Sequence, residues 1–600
     1  MTGSGRAPRR HLIEDAVALI VLGLMSALPL AEVGVREFIG GGFAGSISFV
    51  QHMTLWISFL GAALAARTGR LLALSTGSFL SERWRVTADT AQTFVSVAVT
   101  TCLCWASIDL VLIDRSFGDL AAWGIPIWVF NAIMPLGFAL IAARQIFHAS
   151  LSARGKALVA LGCVVPIGFI FVPDAAVGLL VWPLGVIILL STLLGMPIYA
   201  ALGGAALLLF WQEGTPISAV PGEAYRMSTS PMLPAIPLFT LAGYVLAAGG
   251  SGQRLLRVFS AGVGWMPGGL AVVVTLVLAF FTPLTGASGV TILAMGGILL
   301  PMLVKSRYSE ANALGLVTVS GSIGVLIPPS LPVILYAYYA EVSLEDLFLA
   351  GVLPGVLLIV AVAAWAAWRG VRGGAVRTPF DGGELGAAIW QAKWELLLPG
   401  IVLFGIFGGF ATLVEAAALT VLYAICLEAL VFRELKLRDI LRVATESAAM
   451  IGGFMIILSV ALGLTNYLII AQIPMHLLEW VRAAIDSPYM FLLLLNIFLI
   501  VVGAVMDIYS AIIVVVPLIA PMASAYGIHP VHLGIIFLAN MQLGYLMPPM
   551  GENLFLSAYR FDKSLAYLYR CVLPFVGIIT IVVLFITYVP IFTLWLIGSP

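Results

Sequence analysis

The chain has 600 residues, 62% of them hydrophobic and only 10% charged, with no net charge and a mean hydropathy of +1.10. A soluble domain carries about 25% charged residues, so this composition excludes an ordinary water-soluble protein, and the absent net charge leaves no electrostatic footprint for nucleic acid. Repeated apolar runs of about 20 residues predict an all-α polytopic membrane protein. The five cysteines, Cys102, Cys104, Cys163, Cys426 and Cys571, are scattered through apolar segments and read as small buried hydrophobes. The histidines do not cluster, and His529 and His532 flank Pro530 in a predicted loop.

Arg6, Arg9 and Arg10 precede an apolar run over about 12–30. That run is long for a signal-peptide core and lacks a small-residue cleavage site, so it predicts an uncleaved first span. Residues 1–150 predict a small four-span unit, with spans near 14–33, 43–66, 90–113 and 123–147. A cytoplasmic N-terminus puts Arg67, Arg70, Arg83, Arg85, Arg144, Arg154 and Lys156 inside and only Arg36 and Arg115 outside, the positive-inside pattern. A surface-lying amphipathic helix or a plain loop fits 67–89 equally. Residues 151–174 predict a linker helix, and 175–600 a larger unit with halves at about 175–370 and 394–600.

The larger unit begins with spans near 176–195 and 197–211. Between Met227 and Gly243 the prolines Pro231, Pro234 and Pro237 cannot lie inside one straight helix, so this segment predicts a helical hairpin or broken helix. Gly286-Ala-Ser-Gly289 and Ile327-Pro-Pro-Ser330 predict further breaks inside apolar sequence. The stretch from Arg369 to Lys393 reads as the only long hydrophilic loop. Spans near 395–410 and 414–432 follow it. Glu415 and Glu428 lie near connectors, which favours structural pairing. Leu300-Pro301-Met302, Gly324 with Pro328-Pro329, and Leu353-Pro354 recur 220 positions later as Ala520-Pro521-Met522, Gly544 with Pro548-Pro549, and Leu573-Pro574. Interrupted hydrophobic segments at corresponding places in two halves point to a transporter binding site.

Several long motifs in order carry a family resemblance over nearly the whole chain. They are Ser230-Pro-Met-Leu-Pro-Ala-Ile-Pro-Leu-Phe-Thr-Leu-Ala-Gly243, Thr285-Gly-Ala-Ser-Gly-Val-Thr291, Ile327-Pro-Pro-Ser330 with Leu353-Pro-Gly355, Gly408-Gly409 with Thr412 and Glu415, and Asp507 and Asn540 with Pro548-Pro-Met-Gly551. The chain resembles the membrane component of the tripartite ATP-independent periplasmic (TRAP) transporters with small and large subunits fused. The first of these motifs looks like the family's first hairpin. Leu413 stands near a place where members usually carry Pro. The resemblance implies sodium-driven secondary uptake across a bacterial inner membrane, commonly of an organic acid, delivered by a periplasmic solute-binding protein. It also implies an elevator-type large unit with two repeats of re-entrant hairpins and broken helices.

Sodium is a hard cation that takes oxygen ligands, and unwound backbone and hydroxyls at helix breaks supply them. The expected shells are Ser230, Thr285, Ser288, Thr291, Ser330 and the carbonyls of Gly324 and Pro328 in the first half. In the second they are Asp507, Asn540, Asn553 and the carbonyls of Gly544 and Pro548. Asp507 stands out, because an ionisable group within a membrane segment is costly and functional by default. The expected solute contacts are Ser230, Gly286, Ala287, Ser288, Gly551 and Glu552. The competing readings are an ion-coupled symporter of the divalent-anion type without a binding protein and, more remotely, a membrane-embedded enzyme. No H-E-x-x-H or G-x-S-x-G motif supports the enzyme.

Overall fold

A computed structural model describes residues 12–43, 45–69, 71–73, 82–148, 153–285, 288–377, 379–548 and 551–598. Among them there is no β-strand, only two isolated bridges. Among the described residues, twelve helices are long and apolar enough to cross a membrane, and two further pairs are bent at short breaks. The chain separates into two compact units, residues 1–238 with 441–472 and residues 239–440 with 473–600. The first helices of the 175–600 stretch pack into the same core as the four-span unit.

In the first unit, α1 (Leu12–Ile39), α2 (Ser46–Thr68), α3 (Glu82–Phe117) and the pair α4 (Ile127–Asn131) and α5 (Ile133–His148) are the four spans. Helix α2 packs against α1 and α5, and α5 against α3. Phe59 and Phe138 meet edge to face in the core at 5.0 Å between ring centres. Ile13, Ile20, Trp105 and Leu136 stay exposed, as side chains solvated by lipid can. Charges at one end of the unit are paired: Arg67 with Asp15 at 2.7 Å, and Arg144 with Glu14. Part of the stretch 67–89 lies outside the described residues, but from Glu82 onward it is the start of α3 rather than a separate surface helix. The linker is not one helix. It forms α6 (Ala153–Ala160), a 3-10 turn and α7 (Val165–Ile170) laid on α3, where Gly162 leaves room for the Phe94 carbonyl.

Helices α8 (Asp174–Leu193), α9 (Ile198–Gln212) and α10 (Ala219–Ser228) join this core. The Tyr199 hydroxyl meets Thr100 Oγ1 at 2.7 Å and accepts from Gln145 at 3.0 Å. After α10 the chain turns through 229–234 before α11 (Ala235–Ala248), so the proline-rich segment is a broken helix. Ser230 is buried in that turn, its Oγ 3.4 Å from the Met232 amide.

The second unit takes up the chain within α11, which meets α12 (Ser251–Val263) at a 71° bend across Gly249-Gly250. Helices α13 (Gly269–Thr285) and α14 (Ser288–Lys305) pack on each other. Helix α15 (Glu310–Ile323) gives way to a 3-10 turn and α16 (Leu331–Tyr339) at a 45° bend. Helix α17 (Leu344–Arg372) carries Pro354. The long hydrophilic loop shrinks, because α17 runs to Arg372 and α18 (Gly382–Phe407) begins at an Asp381 cap that accepts from the Gly383 and Glu384 amides. Glu415 belongs to a capping box with Thr412 that starts α19 (Leu413–Cys426).

The long α20 (Leu437–Ile470) enters the first unit at Leu441, where 89% of its most apolar stretch is buried. Its Gly452 meets Gly61 of α2 backbone to backbone, a contact any side chain would block. The second unit resumes with α21 (Ile473–Ala484), α22 (Pro488–Val505), α23 (Ile508–Ala525), α24 (Pro530–Gly544), α25 (Glu552–Phe561), α26 (Leu565–Tyr588) and α27 (Ile591–Leu594). Helices α15 and α24 start 220 positions apart, at Glu310 and Pro530, so the sequence repeat is a structural repeat.

Candidate functional site

Two centres lie at the helix breaks of the second unit, and each combines elements of both repeats. Helix α25 of the later repeat packs on α14 and α15 of the earlier one, and α16 of the earlier repeat packs on α23 of the later.

At the first centre, Gly286 and Ala287 lie outside the described residues, and so does the Thr285 side chain. Beyond the break, Ser288 and Thr291 are buried on α14. Gly289 lets α25 come down on the start of α14: a Cβ there would stand 2.0 Å from Leu556 and 3.3 Å from the Glu552 carboxylate. Asn553 donates from Nδ2 to the Thr318 carbonyl at 3.3 Å, and the Thr318 hydroxyl donates to Ser557 at 2.9 Å. Thr282 donates to the Gly321 carbonyl at 2.9 Å. Gly324 closes α15 where a Cβ would fall 2.5 Å from the Ala279 carbonyl, so only glycine allows the two segments this close. Pro328 and Ser330 are buried in the turn into α16.

At the second centre, Asp507 stands in the break between α22 and α23 and caps α23. Its carboxylate accepts the Ser510 amide at 3.1 Å and the Ser510 hydroxyl at 2.6 Å. Gly503 and Gly544 touch through their backbones, and a Cβ on Gly544 would stand 2.5 Å from the Gly503 Cα. The Ile508 amide donates to the Tyr545 hydroxyl at 2.7 Å, which ties the two breaks together. Pro548 is exposed, and Pro549 and Met550 lie outside the described residues. Gly551 donates back to the Met547 carbonyl at 3.0 Å. The carboxylates of Asp507 and Glu552 lie within electrostatic reach of each other.

The structure groups the sequence-predicted residues differently from their chain order. Asn553, assigned with the second half, is held by α15 of the first, because α25 crosses between repeats. Asn540 sits a turn before Gly544 in a knot between helices. Its Nδ2 donates to Asn496 at 2.7 Å and to the Ile536 carbonyl at 2.8 Å, and Asn496 Oδ1 also accepts from Thr587 at 3.1 Å. Ser230 belongs to the first unit.

Several buried polar atoms around the breaks have no hydrogen-bond partner: Ser320 Oγ, Asn540 Oδ1, Asn553 Oδ1 and both ends of the Gln542 amide. Such atoms are costly to bury unless water, an ion or a ligand meets them. All but the Gln542 Nε2 are hydroxyl or amide oxygens, the donor class a hard monovalent cation takes. Thr318, Ser320, Gln542, Tyr545 and Ser557 were missed in the sequence. The Asn540-x-Gln542 pair in an otherwise apolar run was the available signal.

The chain matches two family models, the DctQ component of the tripartite ATP-independent periplasmic transporters over residues 25–155 and the DctM component over residues 184–592. It is 31% identical over 509 residues to the isethionate TRAP transporter permease protein DctMQ of Oleidesulfovibrio alaskensis, covering 83% of this chain and 79% of that protein. It is 35% identical over 390 residues to the C4-dicarboxylate TRAP transporter large permease protein DctM of Pseudomonas aeruginosa, covering 65% of this chain and 91% of that protein. Among solved structures, the YdaH transporter of Alcanivorax borkumensis aligns over 62% of this chain and 89% of its own, at 13% identity and a TM-score of 0.43. The chain belongs to the TRAP transporter family and carries the DctQ and DctM permease components fused in one polypeptide.

Proposed function

We propose that this permease takes up a small organic acid across the bacterial inner membrane, driven by sodium and supplied by a periplasmic solute-binding protein, with its N-terminus cytoplasmic. The observation that carries the reading is the pair of helix breaks, each with buried oxygens that have no protein donor. Sodium meets such oxygens without a transition-metal ligand set, and the carboxylate of Asp507 adds the charge at one break. The relatives named for C4-dicarboxylate and isethionate support an organic anion as solute.

Gly289 and Glu552 face each other where α25 meets the start of α14, so the solute would sit where the repeats exchange helices. No Lys or Arg lies between Phe280 and Leu303, and Arg560 of α25 lies about two turns further along α14, against Gly297, so an anion at Gly289 would be held by backbone N–H groups, hydroxyls and bound sodium. Alternating access follows as an elevator motion, in which the helices that carry both breaks move as one body.

Uptake of labelled organic acids into proteoliposomes tests the reading. Uptake is expected only with an inward sodium gradient and with the binding protein present. Equal uptake in potassium alone removes sodium coupling. Sodium-driven uptake without any binding protein replaces this reading with a stand-alone anion symporter.

A further inference from the structure

The first unit contains a cavity of about 560 Å³, walled by α3, α7, α8 and α9, that the transport reading leaves unused. Its walls are apolar, with Ala98 and Trp105 from α3, Phe169 from α7, Ile188 from α8, and Leu208 and Trp211 from α9. It lies on the seam of the fused chain. Helix α3 belongs to the stretch matched by DctQ, α9 to the stretch matched by DctM, and α7 to the linker that neither covers.

One end of the cavity is closed by close helix contacts. A Cβ on Gly204 would stand 2.9 Å from the Ile188 side chain and 3.0 Å from that of Val99, and a Cβ on Gly162 would stand 2.9 Å from the Phe94 carbonyl. From this floor α3 and α9 run in the same direction, with Tyr199 bonded to Thr100 and Gly203 against Leu103. At the other end Trp211 meets Phe169 edge to face at 5.0 Å. Just beyond, both helices turn polar, α3 at Asp109 and α9 at Gln212 and Glu213. Tryptophan beside a polar rim is the pattern of a membrane–water interface. Between Phe94 and Trp105, α3 rises about 16 Å, half of a hydrocarbon core of about 30 Å. The cavity therefore has the depth that the acyl chains of one leaflet reach.

The opening says what adjoins it. Trp105 and Ile187 both line the cavity, and they are 50% and 45% exposed in the middle of their spans. A side chain exposed at that depth faces hydrocarbon, and an apolar cavity does not hold water. The rim then favours one class of head group. Asp109 continues the α3 stripe of Ala98, Cys102 and Trp105 at helical spacing. Glu213 stands beyond Trp211 and accepts from the Tyr467 hydroxyl at 2.9 Å. Arg115, further along α3, lies over the Trp128 ring at 5.8 Å. An acidic rim attracts an ammonium head group and repels an anionic one.

We propose that the cavity is a phospholipid site, with one acyl chain of an ethanolamine phospholipid between α3, α7, α8 and α9 and its head group at Asp109. The chain completes the packing of the seam and so fastens the linker and α9 to α3.

Native mass spectrometry of the purified full chain, exchanged into an equal mixture of ethanolamine and glycerol phospholipids and then washed with detergent, tests this. The wild type is expected to retain one ethanolamine phospholipid. Leu208→Trp and Ala98→Phe, which fill the cavity with protein, should lose it. Leu136→Trp, on an exposed face elsewhere in the unit, should keep it, and Asp109→Asn should lose the preference for ethanolamine. A second measurement needs no variant. An ethanolamine phospholipid with a diazirine at the end of one acyl chain, photolysed in nanodiscs with the wild type, should label the floor at Phe94, Val99 or Ile188. Labels spread over exposed side chains such as Ile20 and Leu136 overturn the proposal. So do a wild type that retains no phospholipid or holds detergent in its place, filled variants that retain it as the wild type does, and a preference for phosphatidylglycerol.

Discussion

The two breaks occupy corresponding places in the repeat and are built differently. The first is held together across repeats: α25 lies on α14 and α15 through Leu556 against Gly289, Asn553 on the Thr318 carbonyl and Ser557 on the Thr318 hydroxyl. At the second, α16 of the earlier repeat packs on α23, but the polar and backbone ties are local: Asp507 on its own Ser510, Gly503 on Gly544, and Tyr545 on the Ile508 amide. One break relies on side chains from the other repeat, and the other on backbone contact and a carboxylate. The two centres should therefore fail in different ways when perturbed.

The largest difference should appear at the glycines. In Gly544→Ala the new methyl meets backbone, 2.5 Å from the Gly503 Cα, and backbone cannot swing aside. Overpacking of this kind costs about 1–3 kcal/mol, and it opens the gap between α22 and α24. In Gly289→Ala the methyl meets the tip of Leu556, a side chain with other rotamers. We expect Gly544→Ala to lower the melting temperature in detergent and abolish uptake. Gly289→Ala should melt near the wild type and transport more slowly. Equal melting points for the two variants would remove the distinction between backbone and side-chain contact.

Asp507 comes next, because the structure gives it a second role. It is the N-cap of α23, and a cap lost to Ala costs about 1 kcal/mol whatever else the residue does. Asn caps as well as Asp, so Asp507→Asn keeps the helix start and removes only the charge. Its expected signature is an unchanged melting temperature with an apparent sodium affinity reduced about tenfold, equivalent to about 1.4 kcal/mol. Ser288→Ala at the first break should shift that affinity less, since it removes a neutral hydroxyl. If Asp507→Asn keeps the wild-type sodium response and Asp507→Ala merely melts earlier, the carboxylate is a helix cap and nothing more.

How much of this was legible in the sequence follows from the range of each signal. The spans, the breaks at Gly286 and Pro328 and the 220-residue repeat were readable, because apolar run length and Gly/Pro chemistry act within a few residues. Assigning partners was not. Asn553 reads as a second-half ligand until α25 is seen to cross onto α15. Asn540 reads as an ion ligand, and the sequence does not show that Asn496 and the Ile536 carbonyl take its amide N–H groups and leave Oδ1 without a partner. Gln542 stands out as a polar residue in an apolar run, but the sequence does not show that it is fully buried with both ends of its amide unpartnered. The three prolines from Pro231 to Pro237 broke a helix, as their chemistry predicts, whereas the packing of α13 on α14 rests on contacts between side chains far apart in the chain and had no local signal.

The smallest expected effect tests whether the exchange of helices between repeats contributes energy of its own. Thr318 and Ser557 come from different repeats and share one buried hydrogen bond of 2.9 Å. A buried hydrogen bond contributes about 1 kcal/mol in water-soluble proteins, and about 0.6 kcal/mol on average between membrane helices. Thr318→Val keeps the shape and strands the Ser557 hydroxyl, whereas the double variant Thr318→Val with Ser557→Ala removes both polar groups. A double-mutant cycle on thermal stability should therefore give a coupling of about 0.5–1 kcal/mol, with the double variant nearly as stable as the wild type. Asn553→Leu, which removes the neighbouring tie to the Thr318 carbonyl, should then cost more in the Thr318→Val background than alone. Strictly additive effects would mean that α25 is held on α15 by apolar packing through Leu554 and Leu556, with the polar ties serving only to fix its register.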